Sequence, residues 1–335
     1  MKSVLITGGT GCIGAAAARV LADRGVDEIA IASRSGSPGT LRLWFGEKLD
    51  PRIRMMPGDV SDEETVREWI RTLQPTHILH LGAFQTPDCD AYPWRGMEIN
   101  VGGTMRLLNA AAEWCTRLER FVVASSAAVY GARADYPGPA VKETDPLLPP
   151  NYYGIWKVAD EHLARLYHRK TGVPTVCLRL NTTYGKGRDK GKTSAPTTAM
   201  KAVALGAVQD RKIPFRMPYF GRENYHFVAD VGAHFAACAL EPFAGYGVFN
   251  IRGQTMEVRE FLDLIEQAAA ELGLAEFTDI GIAEDAGQAL FIYDLDDTAI
   301  QQAFPGAPRT PIEEGIRRSL EDFQEMARRG DLTAV

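Results

Sequence analysis

Residues 3–24 read SVLITGGTGCIGAAAARVLADR, an apolar run of β-formers that passes through a glycine-rich turn into an alanine-rich amphipathic stretch. A strand feeding a helix through so short a turn is a βα unit, and its glycines limit what the turn can be for. Without side chains, Gly8 and Gly11 permit a tight turn and let backbone N–H groups approach a pyrophosphate. Gly14 lets the helix lie close on the sheet, and the helix N-terminus adds positive potential. Cys12 and Ile13 open that helix beside the same anion position. Gly9 with Gly11 and Gly14 also makes a formal GxGxxG, but GxxGxxG behind Thr7 fits the strand end better.

The unit repeats. VLIT is followed by a helical pattern over 12–24, EIAIAS and RIRMM by one over 62–73, HILHLGA by 96–116, RFVVASS by 151–171, and then comes TVCLRL. Alternating βα of this kind predicts a parallel sheet covered on both faces, an α/β doubly wound Rossmann-type fold over residues 1–180. Past 180 the pattern is broken by Gly185, Gly187, Gly191, Pro196, Pro214 and Pro218. Residues 181–335 are therefore expected to form mainly a smaller substrate lobe, with some segments returning to the first domain. Helices are expected at 230–241, 257–272 and 311–329, the last with Pro311 at its first position.

A formal charge of −6 gives no broad basic surface for nucleic acid. No run approaches the roughly 18–20 apolar residues that span a bilayer. The chain reaches its first strand too soon to hold a signal peptide, so a cytoplasmic protein is expected. Cys12, Cys89, Cys115, Cys177 and Cys238 are scattered, without CxxC or Cys/His spacing, which predicts reduced thiols and no structural metal.

The end of the second strand discriminates between nicotinamide cofactors, because a carboxylate there binds the ribose 2′-OH and repels a 2′-phosphate. The residues are Ala32-Ser33-Arg34-Ser35, with no carboxylate. Arg34 can pair with a phosphate through its planar fork and Ser33 can donate to it, so NADP is favoured over NAD. Arg34 as a solvated residue beside the adenine is the alternative.

In NYYGIWKVADEHLARLYHR, Tyr153 and Lys157 stand four apart on a predicted helix and so share a face. An ammonium beside a phenol favours the phenolate, which would let Tyr153 take a proton from a carbinol oxygen or return it to a carbonyl. Tyr152 has only Trp156 at the matching spacing. Ser126 closes the preceding strand, where active sites of open α/β sheets gather.

TGGTGCIG, GDV at 58–60, HLGA at 80–83, NVGGTMRLLNAA at 100–111, SSAAVYG at 125–131, YGIWK at 153–157 and LRLNTTYG at 178–185 occur in the order found in the extended short-chain dehydrogenase/reductases. The chain resembles that family over most of its length, the branch with nucleotide-sugar epimerases and dehydratases. The resemblance implies that Ser126 hydrogen-bonds the reacting oxygen, Tyr153 is the acid–base residue and Lys157 holds the nicotinamide ribose. It implies Asp59 and Val60 near the adenine, Leu81, Gly82 and Ala83 along the cofactor, and Asn100 as a supporting polar residue. Asn181 would face substrate, or else satisfy local backbone; Phe84 and Trp94 are expected to wall the pocket near the nicotinamide, or to be plain core. Asp59 as a helix cap and Asn100 as a backbone tie are the plainer readings.

The chain departs from its relatives in two places. Ala127 and Ala128 stand where dehydratases carry Asp-Glu, so dehydration is not expected. Glu223-Asn224-Tyr225 stands where many relatives that hold a nucleotide diphosphate carry Arg-Asp-aromatic, with Arg222 one place early and within reach of a diphosphate only if the loop shifts. The basic loop GKGRDKGK at 185–192 is either an anion-recruiting cover or a solvated run. His226 is expected to be a packed residue rather than a catalyst. The first functional reading is an NADP-dependent oxidoreductase acting on a secondary alcohol or ketone of a polar, sugar-like molecule. An epimerase is the second, and a dinucleotide-binding regulator the third. The resemblance implies a homodimer through the helices at 96–116 and 151–171, where Met105, Leu108, Trp114, Leu163 and Leu166 give enough apolar surface for it, or for the core of a monomer.

Overall fold

The computed structural model describes residues 1–335 except 252 and 290, and the backbone but not the side chain of Lys192. The chain runs through β1 (Ser3–Thr7), β2 (Glu28–Ser33), β3 (Ile53–Pro57), β4 (His77–His80), β5 (Arg120–Ser126) and β6 (Thr175–Leu180). It continues with β7 (Thr182–Tyr184), β8 (Phe215–Phe220) and β9 (Arg222–Phe227), then β10 (Tyr246–Asn250), β11 (Gln254–Glu257) and β12 (Ile280–Gln288). Two compact units result. The first comprises Met1–Leu180, Ala229–Ile251 and Leu295–Pro308; the second comprises Asn181–Val228, Arg252–Asp294 and Arg309–Val335.

The first unit is built on a seven-stranded sheet of order β10-β6-β5-β4-β1-β2-β3, parallel throughout. Strand order reverses at β1, which pairs with β2 on one side and β4 on the other. A crevice therefore opens beyond the carboxyl ends of β1 and β4, the position where open α/β sheets bind ligands. Val4, Leu5, Ile6, Ile29, Ile31, Ile78, Leu79, Val122 and Val176 are fully buried. Strands apolar on both faces are what covering helices on both sides require. The Ala15–Ala18 run of the helix Cys12–Asp23 is likewise buried, and Gly232 lies so close that a Cβ there would meet Ala16 Cβ at 2.7 Å. The seventh strand, β10, comes from residues well past 180.

Local signals set the helix ends. Asp62 Oδ1 accepts from Thr65 N at 2.7 Å and starts Glu63–Leu73, so Asp62 and not Asp59 is the cap there. Asn151 Oδ1 accepts from Gly154 N at 2.9 Å at the start of Tyr152–Thr171, which ends on Gly172 at φ 74°. The expected single helix over 96–116 is in fact Pro93–Met97, a π-helical turn Glu98–Gly102, and Gly103–Trp114.

The second unit holds a three-stranded sheet β11-β9-β7, antiparallel then parallel, and a two-stranded parallel pair β12-β8. The helices Ala195–Val208, Val258–Glu271 and Ile312–Arg329 pack with them. Among the described residues no helix is long and apolar enough to cross a membrane, and all five cysteines are free thiols.

Candidate active site

The glycine loop leaves β1 through Gly8 at φ 68°, a left-handed conformation that favours glycine. A Cβ on Gly8 would meet Gly82 N at 2.8 Å, and one on Gly14 would meet Gly8 O at 2.6 Å. The two loops beyond β1 and β4 thus touch through backbone alone, and the helix starting at Cys12 has no side-chain cap on Gly11. Side-chain-free backbone at an uncapped helix start is the cradle that a dinucleotide pyrophosphate requires.

Around this cradle the other expected cofactor residues take distinct positions. Ser33 ends β2 with its Oγ buried and unpartnered, and Arg34 is exposed. Asp59 Oδ1 accepts from the N and Oγ of Ser61, both at 2.8 Å. Burial pushes the Asp59 carboxyl up, but the Ser61 hydrogen bonds and the charges of Arg95 and Arg34 hold it below the ordinary carboxylate range. Val60 is buried against the first Cβ position of Gly103. Leu81, Gly82, Ala83 and Phe84 form a half-buried strip after β4. Asn100, in the π turn, spends its amide on the Phe84 peptide: Oδ1 accepts from Phe84 N at 2.7 Å and Nδ2 donates to Phe84 O at 3.0 Å. Asn100 therefore shapes that strip from behind. Trp94 is 80% exposed, so it does not wall a pocket as expected; Pro93–Met97 is a surface turn.

Ser126, at the end of β5, accepts from Ala128 N at 3.1 Å and caps a short 3₁₀ turn, Ala127–Val129. Gly154 is pressed against that turn: a Cβ there would lie 2.1 Å from Ala128 O. This contact, which sequence reading missed, pins the start of the helix Tyr152–Thr171 beside the Ser126 turn. Tyr153 and Lys157 follow on one face, with Lys157 Nζ 5.8 Å from the Tyr153 ring centroid. Tyr152 turns outward and stacks on Trp156 at 6.0 Å.

Lys157 is buried and its Nζ donates to Asp160 Oδ2 at 3.2 Å. Burial alone would push the ammonium's proton affinity down, yet the charges of Asp160 and then Tyr153 outweigh it and hold Lys157 above its ordinary value. One turn on, Arg179 Nε and Nη2 donate to the two oxygens of Glu161 at 2.8 and 2.7 Å, with Ser125 Oγ donating to Oε1 at 2.6 Å. Arg179 Nη1 also donates to Tyr130 Oη, which donates to Asn250 Oδ1 at 2.7 Å. This satisfied network ties β5, β6, β10 and the tyrosine helix together beneath the site.

In the second unit, Asn181 serves local backbone: Nδ2 donates to Ile292 O and Oδ1 accepts from Thr182 N. Arg222 is 47% exposed, lies 3.6 Å from Asp294 and packs over Tyr293. Glu223, its neighbour on β9, points the other way and is fully buried, with Oε1 accepting from Thr182 Oγ1 at 2.5 Å and Oε2 unpartnered. Burial pushes the Glu223 carboxyl up to about 7, against the Thr182 hydrogen bond and the nearby Tyr219 and Tyr225 hydroxyls, which are not aligned into good hydrogen bonds. His226 Nε2 bonds Asn224 Oδ1 at 2.7 Å, a packed position as expected. In the basic loop, Lys186 pairs with Asp322 at 2.9 Å, Arg188 donates to Thr193, and the loop's own Asp189 takes Lys201 from the following helix.

Residues 4–251 match the model of the NAD dependent epimerase/dehydratase family. A trifunctional UDP-glucose 4,6-dehydratase/UDP-4-keto-6-deoxy-D-glucose 3,5-epimerase/UDP-4-keto-L-rhamnose-reductase from Arabidopsis thaliana is 25% identical over 97% of this chain, which spans 47% of that protein's length. A dTDP-glucose 4,6-dehydratase from Neisseria meningitidis is 24% identical over 96% of this chain and 93% of its own. The solved Thermus thermophilus UDP-glucose 4-epimerase, in complex with NAD, superposes with a TM-score of 0.76 at 24% identity, covering 96% of this chain and 99% of that one. With the glycine cradle at the sheet's switch point and the family match over most of its length, this chain belongs to the NAD-dependent epimerase/dehydratase family, the extended short-chain dehydrogenase/reductases.

Proposed function

We propose that this protein is an NAD(P)-dependent oxidoreductase that reversibly oxidises a secondary alcohol on a polar, sugar-like small molecule. The observation that carries the reading is the placement of Tyr153, Lys157 and the Ser126 turn by the Gly154–Ala128 contact. The dinucleotide, when bound, supplies the hydride acceptor or donor. Gly8, Gly11, Cys12, Ile13 and Gly14 hold its pyrophosphate, and Lys157 holds its nicotinamide ribose. Ser126 Oγ hydrogen-bonds the reacting oxygen; Tyr153 takes that oxygen's proton during oxidation and returns it during reduction. The buried Lys157 charge favours Tyr153 as the phenolate at the moment of proton transfer.

Ala127 and Ala128, on the 3₁₀ turn, offer neither acid nor base, which argues against loss of water. NADP is favoured by the bare end of β2, where Ser33 Oγ is unpartnered and Arg34 is exposed. Equal kcat/KM with both cofactors, unaltered by Arg34→Ala, refutes that preference. The relatives' activities support a second reading, an epimerase that returns the hydride to the opposite face. Nicotinamide absorbance during turnover of a candidate sugar separates the two: a stoichiometric change identifies the oxidoreductase, product without change the epimerase. Wild-type activity in Tyr153→Phe refutes both.

A homodimer is supported by apolar side chains left in solvent on the two helices expected to pair, Met105 at 48% and Leu166 at 45% exposure. Sedimentation of the purified chain as a monomer rejects it.

A further inference from the structure

The reading of Lys157 as the cofactor-ribose residue raises the question of how a lysine this deeply buried stays charged. Its ammonium faces Asp160 and Tyr153 on its own helix, Cys89 from the helix Thr86–Ala91, and His80 from β4. Glu161 is nearby, but its charge is committed to Arg179 at 2.7 Å. Asp160 is therefore the only uncommitted carboxylate among these neighbours. It is itself fully buried, and its Oδ1 has no hydrogen bond.

Behind Asp160 runs a chain of buried polar groups. The Thr104 hydroxyl stands beside the carboxylate but gives its one proton to Asn100 O at 2.7 Å; burial pushes the Asp160 carboxyl above its ordinary range, and the Lys157 charge is the largest influence opposing that. His80 Nε2 lies 3.0 Å from Thr104 Oγ1, and His80 Nδ1 lies 2.7 Å from Thr7 Oγ1. Thr7 Oγ1 in turn accepts from Gly82 N at 3.2 Å. The directions are fixed by elimination. Because Thr104 gives its proton to Asn100, Nε2 of the neutral His80 must donate to Thr104 and Nδ1 must accept from Thr7.

We propose that Asp160 is a positioning residue: through the 3.2 Å contact it holds the Lys157 ammonium charged and in place, beside the buried Thr104, His80 and Thr7 run that leads to the root of the glycine loop. This rests on the cofactor reading given above. Lys157 alone at that depth would be destabilised as a cation, since burial disfavours the charged form by as much as 3–5 pH units, on the order of what buried lysines show. Asp160 supplies the counter-charge, and the Lys157 ammonium in turn favours the ionised carboxylate against its burial.

The test is the titration of Lys157 itself, followed by NMR in protein carrying [ε-¹³C]lysine, the resonance being assigned by its absence in Lys157→Met. In the wild type Lys157 keeps its proton through the ordinary lysine range and above it; in Asp160→Asn its titration moves down by at least ~2 units. NADH affinity, read by fluorescence, stays flat in the wild type from about pH 6 to about pH 9 and falls about tenfold across that range in Asp160→Asn. An unmoved Lys157 titration in a folded Asp160→Asn protein overturns the proposal. Should that variant not fold, loss of the Lys157 proton below about pH 9 in the wild type overturns it equally. The cofactor reading fails separately, if Lys157→Met binds NADH as the wild type does.

Discussion

Glu223→Gln makes the buried carboxyl of the second unit measurable. Burial raises Glu223 from an ordinary 4.5 to about 7, a rise of ~2.5 pH units, and at ~1.4 kcal/mol per unit the charged form costs the fold about 3 kcal/mol. Because the folded protein binds this proton more tightly than the unfolded chain does, the favourable term is complete below about pH 4.5 and is lost as pH rises to about 7. Glutamine keeps the shape and still accepts from Thr182, and its amide can donate to Tyr219 and Tyr225, whose hydroxyls have no aligned partner. Urea denaturation across pH should therefore find Glu223→Gln more stable than wild type by about 3 kcal/mol at about pH 8, and by less than ~1 kcal/mol at about pH 5. A stability difference that does not change between these two pH values refutes the claim that burial holds this carboxyl neutral.

Three further outcomes follow from other contacts. Gly154→Ala places a methyl 2.1 Å from Ala128 O; melting should fall by an amount equivalent to at least ~2 kcal/mol, and catalytic turnover should fall more steeply than cofactor binding. Burial holds His77 down at about 4 and His80 at about 3. Their unfolded forms take up protons near pH 6.5, so each removes about 2 kcal/mol of stability on acidification to about pH 5, an effect that His80→Asn abolishes for its own share in denaturation curves. Glu161→Ala leaves the Arg179 guanidinium buried without its carboxylate and should cost about 3–5 kcal/mol by chemical denaturation, while Glu161→Gln costs less.

The glycine loop and the tyrosine–lysine pair were legible from residue order because both depend on local geometry. A strand, three glycines and a helix start constrain backbone within a dozen residues, and an i,i+4 pair on a helix shares a face whatever surrounds it. The alternation of apolar runs and amphipathic helices likewise predicted the parallel sheet, since a strand covered on both sides must be apolar on both sides. The π turn that breaks the expected 96–116 helix, and the return of residues 246–250 as the outermost strand, have no comparable local signal.

Burial and pairing were settled by tertiary structure, because they bring together residues far apart in the chain. Glu223, conspicuous in sequence only as a substitution for arginine, becomes a buried acid when β9 turns it inward while sending Arg222 out to Asp294. In the basic loop at 185–192, Lys186 is paired with Asp322, a partner far along the chain that the loop's own sequence could not name. Asp160 reads as an ordinary helix-surface acid until the fold buries it against Lys157 and Thr104. Sequence determined where the glycine loop and the Tyr153–Lys157 pair lie, through short-range backbone and helical geometry. The charge each buried group carries was decided by the tertiary structure, because that charge depends on desolvation and on partners that only the complete fold supplies.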